Sequence, residues 1–343
     1  MRRARTLVVA ATAVLLSGAV PAAAQQTHLL IIAGLGGDPQ YTEQFHKWAT
    51  TLIDAAQSTY QLAEENITFL AEKPDLDPQR IDGQSTKQAV EATITAMARR
   101  ARSTDPILIV LFGHGTSTSA DDARVNLPGP DLTAQDFAKL LAAFPAQPVT
   151  FVNTASASGG FVQALSGERR VVMTATKTGG ERNETIFGGF FVEAFASAAE
   201  EADENKDRRV SMLEAYNYAS RQVARTYEND GKLLTEHAML DDNGDRQGTN
   251  QPDPVANDGA VARALFITGG AARVAGQVPD DPELRALYAE RQALEERIDG
   301  LKLLKGGTDP AQYAKELEKL LVELALKSRE IRELEAKKGV SQR

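Results

Sequence analysis

The chain has 343 residues, 42% of them hydrophobic and 25% charged, a composition that builds one large core or two domains and excludes disorder as the main state. Its 38 Lys and Arg against 47 Asp and Glu give a formal charge of −9, which leaves no cationic surplus for nucleic acid or an acidic membrane surface. With no cysteine it has neither disulfides nor thiol chemistry.

At the N-terminus, Arg2, Arg3 and Arg5 precede an apolar run from Leu7 to Val20 that ends in Ala22, Ala23 and Ala24. Short apolar length and a small-residue end predict a secretory signal peptide over residues 1–24, hence export and no stable membrane insertion after cleavage. Short apolar runs then alternate with amphipathic stretches. Strands are expected at residues 28–33, 67–71, 106–112, 149–153, 170–175 and 263–268, and helices at 41–58, 85–101, 132–144, 187–202 and 212–228. In the second helix Ser85 is expected to be the cap, with Val90, Ile94 and Met97 recurring on one face. The alternation predicts an α/β domain over residues 25–269, a six-stranded, mostly parallel sheet flanked by helices. Such sheets carry their chemistry at the carboxyl ends of the strands.

A Gly/Ala/Pro-rich link over 270–281 leads to a charged tail over 282–340. Leu287, Leu294 and Leu301 repeat every seven residues, as do Leu317, Leu324 and Ile331, with Leu320 and Leu334 on the adjoining seam. The pattern predicts an antiparallel helical hairpin or a coiled coil, which either packs on its own domain or serves self-association or docking.

His114 follows the apolar run Ile107–Phe112 between Gly113 and Gly115, just past a strand end and with glycines that allow close backbone approach. The stretch Thr154, Ala155, Ser156, Ala157, Ser158, Gly159, Gly160 follows the next strand. Neighbouring parallel strands would bring His114 close to Ser156. By itself a glycine-flanked histidine with a serine fits a tight turn as well as a catalytic pair.

These motifs, with Ala33 and Gly34 after the first strand, resemble in order the legumain and caspase-like cysteine peptidases over residues 28–268. His114 and Ser156 lie 42 residues apart, near the spacing of about 50 between histidine and cysteine in caspases. The resemblance implies a catalytic histidine at His114, an oxyanion-hole amide at Gly115, the nucleophile's place at Ser156, and a substrate-pocket wall at Arg182 and Asn183. Ser156 departs from the family's cysteine. A thiol ionises near neutral pH, whereas a serine hydroxyl must lose its proton to a well-oriented base, and serine triads orient that base with a carboxylate. Tyr41 is followed by Thr42 where legumains carry arginine after tyrosine, which removes the basis for asparagine specificity.

Asp203, Asn205, Asp207, Arg209, Ser211 and Glu214 occupy positions 1, 3, 5, 7, 9 and 12 of a calcium loop, with Val210 at the apolar eighth. Arg208 stands where glycine makes the sharp turn. The loop is read either as a weak Ca²⁺ site, with affinity on the order of 10⁻⁴ M, or as a solvated acidic turn. A second acidic run, Asp241, Asp242, Asn243, Gly244 and Asp245, follows Glu236 and His237, but Pro252 replaces the closing glutamate, so it is either a cation loop of another kind or a polar turn. Three functions follow from these residues: an inactive peptidase-fold protein that binds peptide or protein, an active hydrolase using Ser156 and His114, or an assembly protein acting through its helical tail.

Overall fold

A computed structural model of the chain describes residues 25–118, 122–205, 209–269, 281–303 and 309–338. The proposed signal segment, Asp207 and most of the link lie outside the described residues. The strands in chain order are β1 (His28–Ala33), β2 (Ile67–Ala71), β3 (Gly83–Gln84), β4 (Ile107–Phe112), β5 (Gly115–Thr116), β6 (Arg124–Val125), β7 (Leu132–Thr133), β8 (Val149–Asn153), β9 (Arg170–Thr174) and β10 (Met239–Asp241). Seven of them form one sheet in the order β10-β9-β8-β4-β1-β2-β3, and β5, β6 and β7 form a small antiparallel sheet just past His114. In the large sheet only the β10–β9 pairing is antiparallel.

Runs such as Leu29–Ile32 and Ile107–Phe112 are apolar without alternation because helices cover both faces of the sheet. Leu29 and Ile31 share one core with α1 (Pro39–Ser58), α5 (Phe187–Phe195) and α7 (Met212–Asn229). Leu30 and Ile32 share the other with α2 (Lys87–Arg100), α3 (Ala134–Leu141) and α4 (Gly160–Leu165). Val90, Ile94 and Met97 are the buried face of α2, as their spacing predicts.

The structure corrects four expectations. Residues 263–268 are no strand: Ala262–Ala264 form a 3₁₀ turn, and Phe266 makes only an isolated bridge to Ser211. The sheet's further strands, β3 and β10, are two and three residues long, too short to show a period in sequence. The cap of α2 is Thr86, whose hydroxyl accepts from the Ala89 amide, while Ser85 instead donates to the Ala33 carbonyl at 2.7 Å and ties that helix to the end of β1. The helix expected over 187–202 breaks at Ala196, where φ −114° and ψ −105° leave the helical region, and resumes as α6 (Ala199–Ala202).

The tail is a hairpin of α8 (Pro282–Leu303) and α9 (Pro310–Lys338). Lys338 pairs with Asp281, Lys327 with Glu290 and Arg297 with Glu323, a sequence of partners that only antiparallel helices allow. Among the described side chains the fully buried apolar positions are Leu284, Ile298, Leu320 and Ile331, so on α8 the inward seam is offset from the heptad through Leu287, Leu294 and Leu301, which stay half-buried. No described helix is long and apolar enough to cross a membrane.

Candidate functional site

β4 and β8 run parallel and pair from Ile107↔Val149 to Leu111↔Asn153, so the residues that follow them emerge at one edge of the sheet. Thr154 continues the register, its amide and hydroxyl both donating to the Leu111 carbonyl. Ser156 then meets Gly115. The Gly115 amide donates to Ser156 Oγ at 3.4 Å, and the hydroxyl lies 3.5 Å from the Gly115 carbonyl as its acceptor. Only glycine fits at position 115, because a Cβ there would stand 2.3 Å from the Ser156 carbonyl oxygen. Ser156 is 5% exposed.

His114 is half-buried and turned elsewhere. Its ring centroid lies 4.8 Å from that of Tyr41 and 5.5 Å from that of Phe45, edge-on to both, so two residues of α1 hold the imidazole by aromatic contact. Among the described residues the His114 ring takes part in no hydrogen bond or ion pair. The structure thus gathers His114, Gly115 and Ser156 at one sheet edge, yet joins only Gly115 and Ser156 by hydrogen bonds.

The loop from Lys177 to Thr185 braces the serine turn. Ala157, held at φ +53°, donates its amide to the Glu181 carbonyl at 2.8 Å, and Thr185 Oγ1 donates to the Thr154 carbonyl. A left-handed alanine costs about 1 kcal/mol, which this fixed partner offsets. Glu181 is itself anchored, its carboxylate accepting from the Lys177 amide at 2.7 Å and lying 2.5 Å from His237 Nδ1. Glu236 closes the far end of the loop by accepting from the Ile186 and Phe187 amides at the start of α5. Burial pushes its carboxyl up to about 7, with the nearby charges of Glu181 and Glu184 adding to the rise. Tyr41 Oη donates to Glu184 at 3.0 Å, so the loop also touches the helix that holds His114.

Of Arg182 and Asn183, the structure places Arg182 on a pocket, while Asn183 is not among its described lining residues and its side-chain amide donates to Thr235 Oγ1. Arg182 faces a pocket of about 410 Å³ next to the serine turn, formed also by Ser117, Thr118, Gln163, Lys177 and Thr178 together with glycines of the two neighbouring turns. Lys177 and Thr178 lie in the loop after β9, where Thr176-Lys177-Thr178-Gly179-Gly180 joins a cation to a Gly-Gly turn after a strand, whereas Ser117, Thr118 and Gln163 carry no comparable signal.

In each acidic loop a carboxylate is bound to backbone amides. Glu214 closes a capping box with Ser211 at the start of α7: Oε2 accepts from the Ser211 amide and hydroxyl, both at 2.8 Å, while Oε1 accepts from the amides of Glu204 at 3.1 Å and Asn205 at 3.3 Å. The Arg209 guanidinium lies 3.6 Å over the Phe266 ring. Calcium would have to displace four donors from one carboxylate, so millimolar calcium and chelator are expected to give the same melting midpoint; a rise with calcium would show that Glu214 turns to the ion. Glu214→Ala strands those donors and is expected to cost about 2 kcal/mol in urea unfolding. In the second loop Asp242 accepts from the amides of Gly259, Val261 and Ala262, each at 2.8 Å, and so folds the 3₁₀ turn back onto the sheet. Among the described residues no three His, Cys, Asp or Glu gather as a metal site.

No family model matches the chain, and no curated protein does. Among solved structures it is similar to protein GSU0716 from Geobacter sulfurreducens, at 12% identity over 67% of this chain and 96% of that one, with a TM-score of 0.41. It is also similar to Raptor from Chaetomium thermophilum, at 11% identity over 88% of this chain and 35% of that one, with a TM-score of 0.36. Both likenesses are too remote to bear on the site.

Proposed function

We propose that the chain is an exported protein with a legumain- or caspase-like peptidase fold whose catalytic centre is inactive and whose cleft binds peptide or protein. The observation that carries this reading is the uncoupled pair. His114 is packed edge-on against Tyr41 and Phe45 with no hydrogen bond to Ser156, and among the described residues Ser156 Oγ shares its proton and lone pairs only with the Gly115 backbone. A serine hydroxyl without a bonded base, and a histidine without a carboxylate to orient it, lack both requirements of serine catalysis. Support for the family reading is the order of the AG, HG and serine-turn motifs, together with the emergence of the last two from neighbouring parallel strands.

The test is labelling with a fluorophosphonate and cleavage of a mixed casein and peptide substrate set by the mature protein. Neither labelling nor turnover is expected, and Ser156→Ala should change nothing. Turnover by the natural protein that Ser156→Ala abolishes would make it a serine hydrolase.

Self-association through the tail is favoured by one observation: Leu321, Val322 and Leu326 of α9 are 47, 53 and 54% exposed on one side of the hairpin. Removing residues 270–343 is expected to leave the sheet domain folded and to convert any dimer seen by light scattering into monomer. A dimer that survives the truncation would locate the interface on the sheet domain.

A further inference from the structure

The pocket beside the serine turn is built almost wholly of donors. Among the described residues no carboxylate and no large apolar side chain lines it; glycines and the side chains of Ser117, Thr118, Gln163, Lys177, Thr178 and Arg182 do. Arg182 is held in place by two carbonyls, its Nε donating to Gly179 at 3.3 Å and one terminal nitrogen to Ser117 at 3.0 Å, which leaves the rest of its five donors for a ligand. Among the described residues the Lys177 ammonium pairs with no carboxylate, and the successive amides of Thr178 and Gly179 donate to nothing. Asp122, just past Thr118, is already engaged by the Thr118 amide at 2.8 Å, by the Thr118 hydroxyl, by the Ser117 hydroxyl at 3.4 Å, and by Arg124 at 3.4 Å.

Two cations and two consecutive amides without an acceptor among the described residues describe a site for an oxyanion. A planar guanidinium fixed from behind suits a planar carboxylate, and paired backbone amides are the usual cradle for a chain terminus. The volume of about 410 Å³ exceeds what a carboxylate alone would occupy and leaves room for the terminal residue that bears it. We infer that this pocket captures the C-terminal carboxylate of a peptide lying along the sheet edge, an inference that rests on the peptide-binding reading of the cleft.

The experiment uses the mature chain, fluorescently labelled, on an array of random heptapeptides tethered by their N-termini and carrying either free or amidated C-termini. In parallel, NMR follows the Thr178 and Gly179 amides during titration with acetate and with inorganic phosphate. Free-acid peptides should bind at least tenfold tighter than their amides. Lys177→Gln, and Gln163→Glu on the exposed rim, should each remove about tenfold without lowering the melting midpoint, whereas Arg182→Ala also loosens the loop and is the weaker test. Equal binding of acids and amides overturns the inference while leaving the peptide reading intact, as does a preference carried by internal Asp or Glu. If no peptide binds but acetate shifts the two amides, the peptide reading fails and the carboxylate pocket stands; a response to phosphate alone assigns the pocket to another oxyanion. Silence in both assays removes both.

Discussion

Replacing Asp242 by alanine should cost about 4 kcal/mol of stability, a large part of the roughly 5–15 kcal/mol that holds a domain of this kind. The side chain is 3% exposed and accepts three amides, from Gly259, Val261 and Ala262. Alanine leaves all three donors buried without acceptors, at about 1–3 kcal/mol for each that finds no water. Asp242→Asn should be milder, about 1–2 kcal/mol, because one carbonyl oxygen can still serve Val261 and Ala262, both of which reach Oδ2. Asp245→Ala is the control: among the described residues its exposed carboxylate accepts only the Gln247 amide, two residues along the loop, and its removal should be nearly silent. Urea unfolding of the three variants settles the use of this loop. If Asp245→Ala cost as much as Asp242→Ala, and only in the presence of a divalent cation, the loop would be a cation site and the structural account of Asp242 would fall.

That role for Asp242 was hidden in the sequence for a physical reason. Asp-Asp-Asn-Gly-Asp looks the same whether its oxygens face an ion or backbone amides, and the amides come from residues 17 to 20 positions away. Glu214 presents the same ambiguity on a local scale, since the serine at position 9 and the glutamate at position 12 of a calcium loop are also the two ends of a capping box. Five of the six parallel strands were legible because burial on both faces writes an unbroken apolar run, as in Ile107–Phe112. Leu265, Phe266 and Ile267 are buried as well, but an apolar run reports burial and not hydrogen bonding, and here the backbone is bent by the Asp242 contacts. At the site, the pairing of β4 with β8 followed from the pattern of strands and helices. The direction in which the His114 ring points did not, because it depends on Tyr41 and Phe45, some seventy residues earlier in the chain. Of the donor-lined pocket, only the cation and Gly-Gly turn after β9 left a local signal, because the whole is assembled from turns after three different strands.

Between pH 4.5 and about 7 the protein should lose about 3 kcal/mol of stability that a Glu236→Gln variant does not lose. Glu236 is 2% exposed, and burial, reinforced by the charges of Glu181 and Glu184, raises its carboxyl from 4.5 to about 7 despite the amides of Ile186 and Phe187. A raised carboxyl holds its proton more tightly in the folded chain than in the unfolded one. The stability it contributes is therefore complete below pH 4.5, declines as the pH rises through the window, and is gone above about 7. Each unit of difference corresponds to about 1.4 kcal/mol, which gives the size of the effect. Asp258, raised to about 6 by burial and by the charges of Asp241 and Asp242, slopes the same way, while His28, lowered by burial, opposes it below its ordinary 6.5. Comparing wild type with Glu236→Gln cancels both. The glutamine retains one oxygen for Ile186 and Phe187 and sets an amide group against the second Ile186 contact, a penalty that is the same at every pH. Urea unfolding of both proteins at pH 4.5, 6 and 7.5 should show their difference shifting by about 3 kcal/mol in favour of the glutamine variant as pH rises. Parallel pH profiles would mean that Glu236 ionises normally, reaches solvent, and does not pin the start of α5 or the loop that carries Arg182.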